Sequence, residues 1–208
     1  MIFEFDIDKD QCDFFFSPIR KREDVIRVIF KAIQYINIYS YINVKTPSGK
    51  MLINVNKMSR LSFFCDDKYY SVNFPFRLVY GPSGELEVVS SALGVVDSVT
   101  ISNILSLVED NSNFYKDCIS SFADEVMDIT ASNSGFWQLL KDVFMTECGY
   151  LRYDYDEKNA NGRAHPLHHL DIHYENSSTF KVGLNKRIDP TMFIDILDVT
   201  TDSHYLDC

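Results

Sequence analysis

Glycine and proline are scarce in this chain. Its 208 residues include only 8 glycines and 6 prolines, so long disordered linkers are not expected. Hydrophobic residues make up 46% of the chain and charged residues 24%, which are ordinary proportions for a globular protein. A chain of this length and composition can bury a sizeable core, and we predict a single compact domain over residues 1–208.

Closely spaced cysteine pairs are also absent. The five cysteines are scattered, and no two are arranged as Cys-x-x-Cys, a pattern typical of free thiols in a reducing compartment. Residues 1–6 lack the basic start and apolar run of a signal peptide. No apolar stretch approaches the roughly 20 residues that a membrane-spanning helix needs. We therefore expect a cytoplasmic protein with no membrane partner.

Positive charge is in short supply. The chain has 30 acidic residues against 20 Lys and Arg residues, which gives a net charge of −10. An acidic surface is repelled by phosphate backbones at long range. A stand-alone, non-specific nucleic-acid binder is therefore not expected. A small basic site on the acidic body is compatible with this charge, and so is a partner that holds the nucleic acid, in which case contact with nucleic acid would be indirect.

Hydrophobic periodicity indicates where the helices and strands lie. Apolar residues at three- and four-residue spacing predict helices over residues 23–35, 98–109, 114–129 and 135–147. For the last of these we predict Ser134 as the N-cap and Trp137 as a core residue. Turn-type clusters at residues 46–49 and 81–84 predict two hairpins, which join residues 36–44 to 51–55 and residues 74–80 to 85–90.

The C-terminal quarter returns to strands, predicted over residues 150–155, 168–174 and 179–182. Asp189 and Pro190 begin a final helix, since proline is favoured in a first helical turn. The predicted fold class is α+β, with antiparallel sheets around a central block of helices. Its parts are a β-rich half over residues 1–97, the helical block over residues 98–147, and a polar strand pair with a helix over residues 148–208.

Four of the five histidines are concentrated between residues 165 and 173. Leu170, Ile172 and Tyr174 alternate with polar residues, which favours a strand over a helix. In a strand, His169 and His173 would lie roughly 13 Å apart and could not bind one ion together. Positions two apart, at roughly 6.5 Å, can converge on one ion.

The preceding strand alternates in the same way, and pairing the two strands would separate their side chains onto two faces. One face would carry Arg152, Asp154, His169, Asp171 and His173. The other face, which we expect to contact the core, would carry Leu151, Tyr153, Tyr155, Leu170, Ile172 and Tyr174.

Several chemistries fit the polar face. Asp154, Asp171 and His169 offer the mixed oxygen and nitrogen ligands that suit a divalent manganese, zinc or iron ion. Alternatively, a histidine could act as base in phosphodiester cleavage without metal, with Arg152 stabilising the developing charge. A pocket for an anionic ligand or partner peptide is a third possibility. A structural role also fits, in which Arg152 pairs with the aspartates and the histidines bind loop carbonyls.

Motifs in about the last 60 residues carry a resemblance. Arg152-Tyr153-Asp154-Tyr155 is followed by His165-Pro166-Leu167-His168-His169, then by an extended segment and a Phe-x-x-x-Leu helix. This order resembles an uncharacterised bacterial family, the domain of unknown function 2290. Some of its members are encoded beside a helicase in anti-phage defence pairs. The resemblance implies a cytoplasmic defence component with a helicase partner, and its matching positions are Arg152, Asp154, His165 and His169.

Taken together, these observations lead to one hypothesis with an alternative. The chain would be an accessory or effector subunit of an anti-phage defence system that acts with a helicase partner. If it is an enzyme, the expected activity is that of a nuclease. The candidate catalytic residues are His169, Asp154, Arg152 and His165, and a divalent metal ion would be held by Asp154, His169 and Asp171. The alternative is a non-enzymatic adaptor or ligand sensor, whose strand pair is structural or binds an anionic ligand.

Overall fold

Two antiparallel sheets and six α-helices make up the described part of the chain, in a computed structural model. The structure describes residues 1–55, 59–66, 68–109, 119–174 and 178–205. Its strands are β1 (Ile2–Ile7), β2 (Gly49–Asn54), β3 (Arg60–Cys65), β4 (Lys68–Asn73), β5 (Arg77–Tyr80), β6 (Leu86–Ser90), β7 (Gly94–Val95), β8 (Leu151–Tyr155), β9 (His168–Tyr174) and β10 (Ser178–Leu184). Its helices are α1 (Lys9–Phe15), α2 (Arg22–Ile38), α3 (Ser98–Glu109), α4 (Ile119–Ser132), α5 (Phe136–Met145) and α6 (Pro190–Ile196). None of these helices is long and apolar enough to cross a membrane.

The larger sheet joins the first and last parts of the chain. Its strands follow the order β1-β2-β3-β4-β8-β9-β10, and all neighbours are antiparallel. After β4 the chain forms the small sheet β5-β6-β7 and the helices α3 to α5, and it returns beside β4 as β8. Tyr70 therefore lies directly opposite Arg152. The predicted α+β class is confirmed, and the N-terminal and C-terminal strands prove to belong to one sheet.

Helix α2 is central to the main core. Its first turn is closed by a capping box, in which the Asp24 carboxylate accepts a hydrogen bond from the backbone N–H of Lys21 at 3.1 Å. The helix packs on α3 and β6 and shares a core with β1 to β4, so it is apolar on most sides. Its buried side chains are Val25, Ile26, Val28, Ile29, Phe30, Ala32, Ile33, Tyr35 and Ile36.

A second, smaller core covers the opposite face of the larger sheet. Helix α6 begins where predicted, with Asp189 as N-cap accepting from the backbone N–H of Met192 at 2.8 Å and Pro190 in the first turn. Its Phe193 is fully buried. The buried residues of this core are Leu52, Phe64, Tyr69, Tyr153, Leu170, Ile188 and Phe193. Of the six residues of the strand pair that were predicted to face the core, Tyr153 and Leu170 are buried here and Leu151 packs against them, whereas Ile172 is 39% exposed.

The first predicted hairpin is wrong. Residues 36–38 continue α2 because its apolar periodicity extends to Ile36, which is buried, and a 3-10 turn (Tyr39–Tyr41) follows. Strand β2 pairs instead with β1 and β3, neither of which was predicted. The second hairpin is confirmed as β5 and β6, with Gly84 at a φ of +85° in its turn.

The helical block matches the prediction apart from its details. Helix α5 begins at Phe136 with Gly135 as N-cap, so Ser134 is not the cap. Trp137 is 52% exposed and not part of the core, because it is one residue beyond buried Phe136 and projects about 100° around the helix. Of the predicted helix over residues 114–129, the part before Ile119 lies outside the described residues.

Candidate functional site

The predicted polar strand pair exists in the predicted register. Strands β8 and β9 are antiparallel, with Arg152 opposite Asp171 and Asp154 opposite His169. Because alternate residues of a strand share a face, these four side chains lie on one side of the sheet. Strand β10 adds Lys181, directly opposite Asp171, to the same side.

The two aspartates and His169 are the buried part of this polar face. Asp154, His169 and Asp171 are 5%, 1% and 4% exposed. The loop over residues 156–167 contributes to the cover, since Pro166 lies over Gly183 of β10: a Cβ at that glycine would come within 2.9 Å of the Pro166 ring. A glycine is therefore required where the loop meets the sheet.

Arg152 bridges the two aspartates through one nitrogen. Its Nη2 donates to Asp171 Oδ2 at 2.6 Å and lies 2.7 Å from Asp154 Oδ2. Burial by itself lowers the pKa of Arg152, but Tyr150 and the two carboxylates outweigh burial and raise this pKa above its ordinary value. The guanidinium therefore stays charged at any physiological pH.

The second carboxylate oxygen of each aspartate, Oδ1, does not contact Arg152 in the same way. Asp154 Oδ1 and Asp171 Oδ1 are both buried and have no hydrogen-bond partner among the residues that the structure describes. Leaving a buried polar atom without a partner costs about 1–3 kcal/mol, and more for a charged group. Two such oxygens in one cluster indicate a position where a cation or donor belongs.

His169 is oriented so that its second nitrogen faces the carboxylates. Its Nδ1 is 2.9 Å from the carbonyl oxygen of Pro166, and because a carbonyl can only accept, Nδ1 carries the proton. In the neutral ring Nε2 then carries a lone pair, and this nitrogen lies 3.9 Å from Oδ2 of both Asp154 and Asp171. One ligand atom from each of the three residues lies within 4.8 Å of the others. Metal-binding histidines are held by the same kind of backbone contact.

Lys181 places a second cation beside this triad. Its Nζ is 3.3 Å from His169 Nε2 and 3.7 Å from Asp171 Oδ1. Together, Lys181 and Arg152 balance the charge of Asp154 and Asp171. We did not predict Lys181, although its alternation with Phe180 and Val182 along the third strand is the signal that would have placed it on the polar face.

His165 joins the cluster from the covering loop. Its ring lies edge-on to that of His169 with centroids 4.9 Å apart, and its Nδ1 is 3.4 Å from Lys181 Nζ. Its Nε2 is 3.0 Å from Asp156 Oδ2. Hydrogen bonds from Asn159, with a smaller effect of His165, lower the pKa of Asp156 to about 2. We did not predict this role of Asp156 in holding His165.

His168 does not belong to this cluster. His168 lies on the opposite face, where its Nδ1 is 3.0 Å from the Tyr153 hydroxyl and its ring stacks on Tyr155. His173 belongs to β9 and lies opposite Thr179, but its side chain is outside the described part of the chain. The structure thus brings together all five predicted site residues: Arg152, Asp154, His165, His169 and Asp171.

No protein-family model, curated protein or solved structure matches this chain. The resemblance to the domain of unknown function 2290 therefore rests on the motifs quoted above and stays a prediction.

Proposed function

We propose that this protein is a nuclease that cleaves phosphodiesters with the help of a divalent metal ion, as the effector of a cytoplasmic anti-phage defence system with a helicase partner. The chemistry rests on one observation, which is that Asp154, Asp171 and His169 present three ligand atoms within 4.8 Å of one another. The defence role and the helicase rest on the resemblance alone.

The donor set fits a divalent ion. Two carboxylates and one imidazole suit manganese, zinc or iron, and the Oδ1 atoms of Asp154 and Asp171, which accept no hydrogen bond from a described residue, provide anionic oxygens for it. An ion bound there would polarise a phosphoryl oxygen and lower the pKa of a bound water. The Pro166 carbonyl keeps the lone pair of His169 Nε2 directed at the two aspartates.

The two cations are the groups that a phosphate would meet first. The side chains of Arg152 and Lys181 are 34% and 36% exposed, whereas the aspartates beneath them are buried. A guanidinium matches phosphate geometry and an ammonium acts as a point charge. His165, about a quarter exposed, lies beside Lys181, where a proton can be exchanged with solvent.

Metal binding provides the first test. Purified protein stripped with a chelator should bind Mn²⁺ or Zn²⁺ in calorimetry, and Asp154→Asn and Asp171→Asn should abolish binding while circular dichroism stays unchanged. The matched control is Asp124→Asn, which removes the same charge from an exposed position of α4. Wild-type protein that binds neither ion would overturn the metal model.

Activity provides the second test. Phage restriction in cells, measured with the helicase partner present, should be lost in D154N and in His169→Ala and retained in D124N. Full restriction by both site variants would exclude the nuclease, whatever the metal measurement shows.

A non-enzymatic adaptor or ligand sensor is the second candidate, and charge balance favours it. Arg152 and Lys181 already neutralise the two aspartates, so the cluster can serve as a buried ion-pair network that holds β8, β9 and β10 together. In that case D154N and D171N would lower the melting temperature without affecting any metal binding, and the helicase would still co-purify with each variant that folds.

A further inference from the structure

A cleft of about 380 Å³ lies at the opposite edge of the larger sheet from the candidate site. It is formed between the 3-10 turn that follows α2 and the β5–β6 hairpin, next to β1. Strands are spaced about 4.8 Å apart, so β1 and β8, the nearest strand of the candidate site, are separated by roughly 19 Å across four spacings. The cleft is thus physically separate from the aspartate and histidine cluster.

Tyrosines line this cleft. Tyr39, Tyr41 and Tyr80 all contribute to it, and Tyr41 and Tyr80 are 87% and 70% exposed. Single exposed apolar residues are common on protein surfaces, but here three phenol rings border one concave site. Such rings present negatively polarised faces, which attract cations.

The inner ring is held in place by β1. The Tyr39 hydroxyl accepts from the backbone N–H of Asp6 at 3.0 Å, and its ring lies edge-on to Phe5. The Tyr35 hydroxyl donates to the Asp6 carbonyl at 2.7 Å. Because both backbone groups of Asp6 are occupied, a partner cannot add as a further strand at this residue.

The charged lining of the cleft is acidic. Among the residues that the structure describes, Glu85, Glu87 and Asp97 line it, and no Lys or Arg does. The carboxylates of Glu85 and Glu87 converge, since a Cβ built on Gly81 would lie 2.7 and 2.8 Å from their Oε1 atoms. Neither glutamate forms a salt bridge with a described residue. Two uncompensated carboxylates beside exposed tyrosines make a site for a cation, and they repel nucleic acid.

We propose that this cleft binds lysine or arginine side chains presented by an extended basic segment of a partner protein. Its volume is at the small end of the roughly 300–1,000 Å³ typical of ligand sites, which suits single long side chains. Carboxylates pair with ammonium and guanidinium groups, while tyrosine faces pack on their alkyl stems and charged heads. The net charge of −10 would attract such a segment from a distance.

The probe is a short, fluorescein-labelled Gly/Ser peptide that carries lysines. Its binding is measured by fluorescence anisotropy and compared with that of the same peptide carrying arginines or glutamines. The assay is run at about 0.15 M salt, where long-range charge effects are screened. The lysine or arginine peptide should bind, and the glutamine peptide should not. Glu85→Gln with Glu87→Gln, and separately Tyr41→Ala with Tyr80→Ala, should each weaken binding at least tenfold.

Matched controls separate a specific cleft from general charge attraction. Asp124→Asn with Asp128→Asn removes the same net charge from exposed positions of α4, and Tyr205→Ala removes a tyrosine that is 90% exposed. Both controls should bind like the wild type. The proposal is overturned if they weaken binding as much as the cleft variants do, or if no cationic peptide binds.

The source of the cation is tested in the same assay. If N-acetyl-lysine methylamide competes as well as the unlabelled lysine peptide does, the cleft serves a small cation and the partner-segment assignment is wrong. Amide shifts in a ¹⁵N spectrum of the complex should be largest near Tyr41, Tyr80 and Gly84. No metal or catalytic activity enters this test, so its outcome is independent of the proposed nuclease.

Discussion

Replacing Arg152 with methionine would remove the cation that bridges Asp154 and Asp171 at 2.7 and 2.6 Å. Both carboxylates are at most 5% exposed, so they would be left buried and uncompensated. Removing one partner of a buried ion pair typically costs about 3–5 kcal/mol. Since the Arg152 side chain is 34% exposed, water can partly replace it, and we expect a loss of about 3 kcal/mol, the lower end of that range.

Urea unfolding of Arg152→Met and wild type, followed by far-UV circular dichroism, measures this loss. The triple variant R152M/D154N/D171N is the control, because neutralising both carboxylates should recover most of it. A loss in R152M below about 1 kcal/mol, within the range of ordinary surface substitutions and small core changes, would mean that the two aspartates do not form a buried pair around Arg152.

The same variant separates the two candidate functions. If the triad is a metal site, Mn²⁺ can replace the missing charge, and an ion present at 100 times its dissociation constant would add about 2.7 kcal/mol of stability. R152M should then gain more stability from Mn²⁺ than the wild type gains. If Mn²⁺ leaves the stability of both proteins the same as in metal-free buffer, the result would support the structural ion-pair network.

Three further changes test other parts of the structure. Lys181→Met should tighten Mn²⁺ binding at least tenfold in calorimetry, because the ammonium is 3.3 Å from His169 Nε2 and like charges about 4 Å apart repel by about 4 kcal/mol at an effective dielectric constant of 20, before solvent screening. In Asp156→Asn, acid unfolding should change. The folded-state pKa of Asp156, about 2, lies below its ordinary 3.8, so the wild type should lose its advantage over this variant as pH falls from about 4 to 2, and the difference should be constant above about pH 5. Phe193→Ala should cost about 3–5 kcal/mol in urea unfolding, whereas Val199→Ala, at a 66% exposed position, should change stability by less than about 0.5 kcal/mol.

The candidate site was largely predictable because strand geometry is strict. A period of two decides which side chains share a face, so alternation alone grouped Arg152, Asp154, His169 and Asp171, and the structure pairs them accordingly. The structure places His168 on the other face, where it contacts Tyr153. Lys181 was missed because alternation was considered for two strands and not for the third.

The N-terminal half was less predictable. Residues 36–44 carry β-favouring side chains, but Ile36 is buried in the main core as part of α2. Its burial outweighs the local preference for a strand. Strands β3 and β4 are buried on both faces and lack a clean alternation, so periodicity does not reveal them.

The fold class, the polar strand pair and the residues on its polar face can be predicted from the amino-acid sequence, because they depend on local periodicity and on side-chain chemistry. Three features depend on long-range contacts instead: β8 lies beside β4, the loop over residues 156–167 covers the polar face, and Asp154 and Asp171 are buried with Arg152 between them. The tyrosine cleft likewise joins Tyr41 to Glu85 across more than forty positions. Such contacts depend on which distant segments exclude water together, and no local pattern encodes that choice.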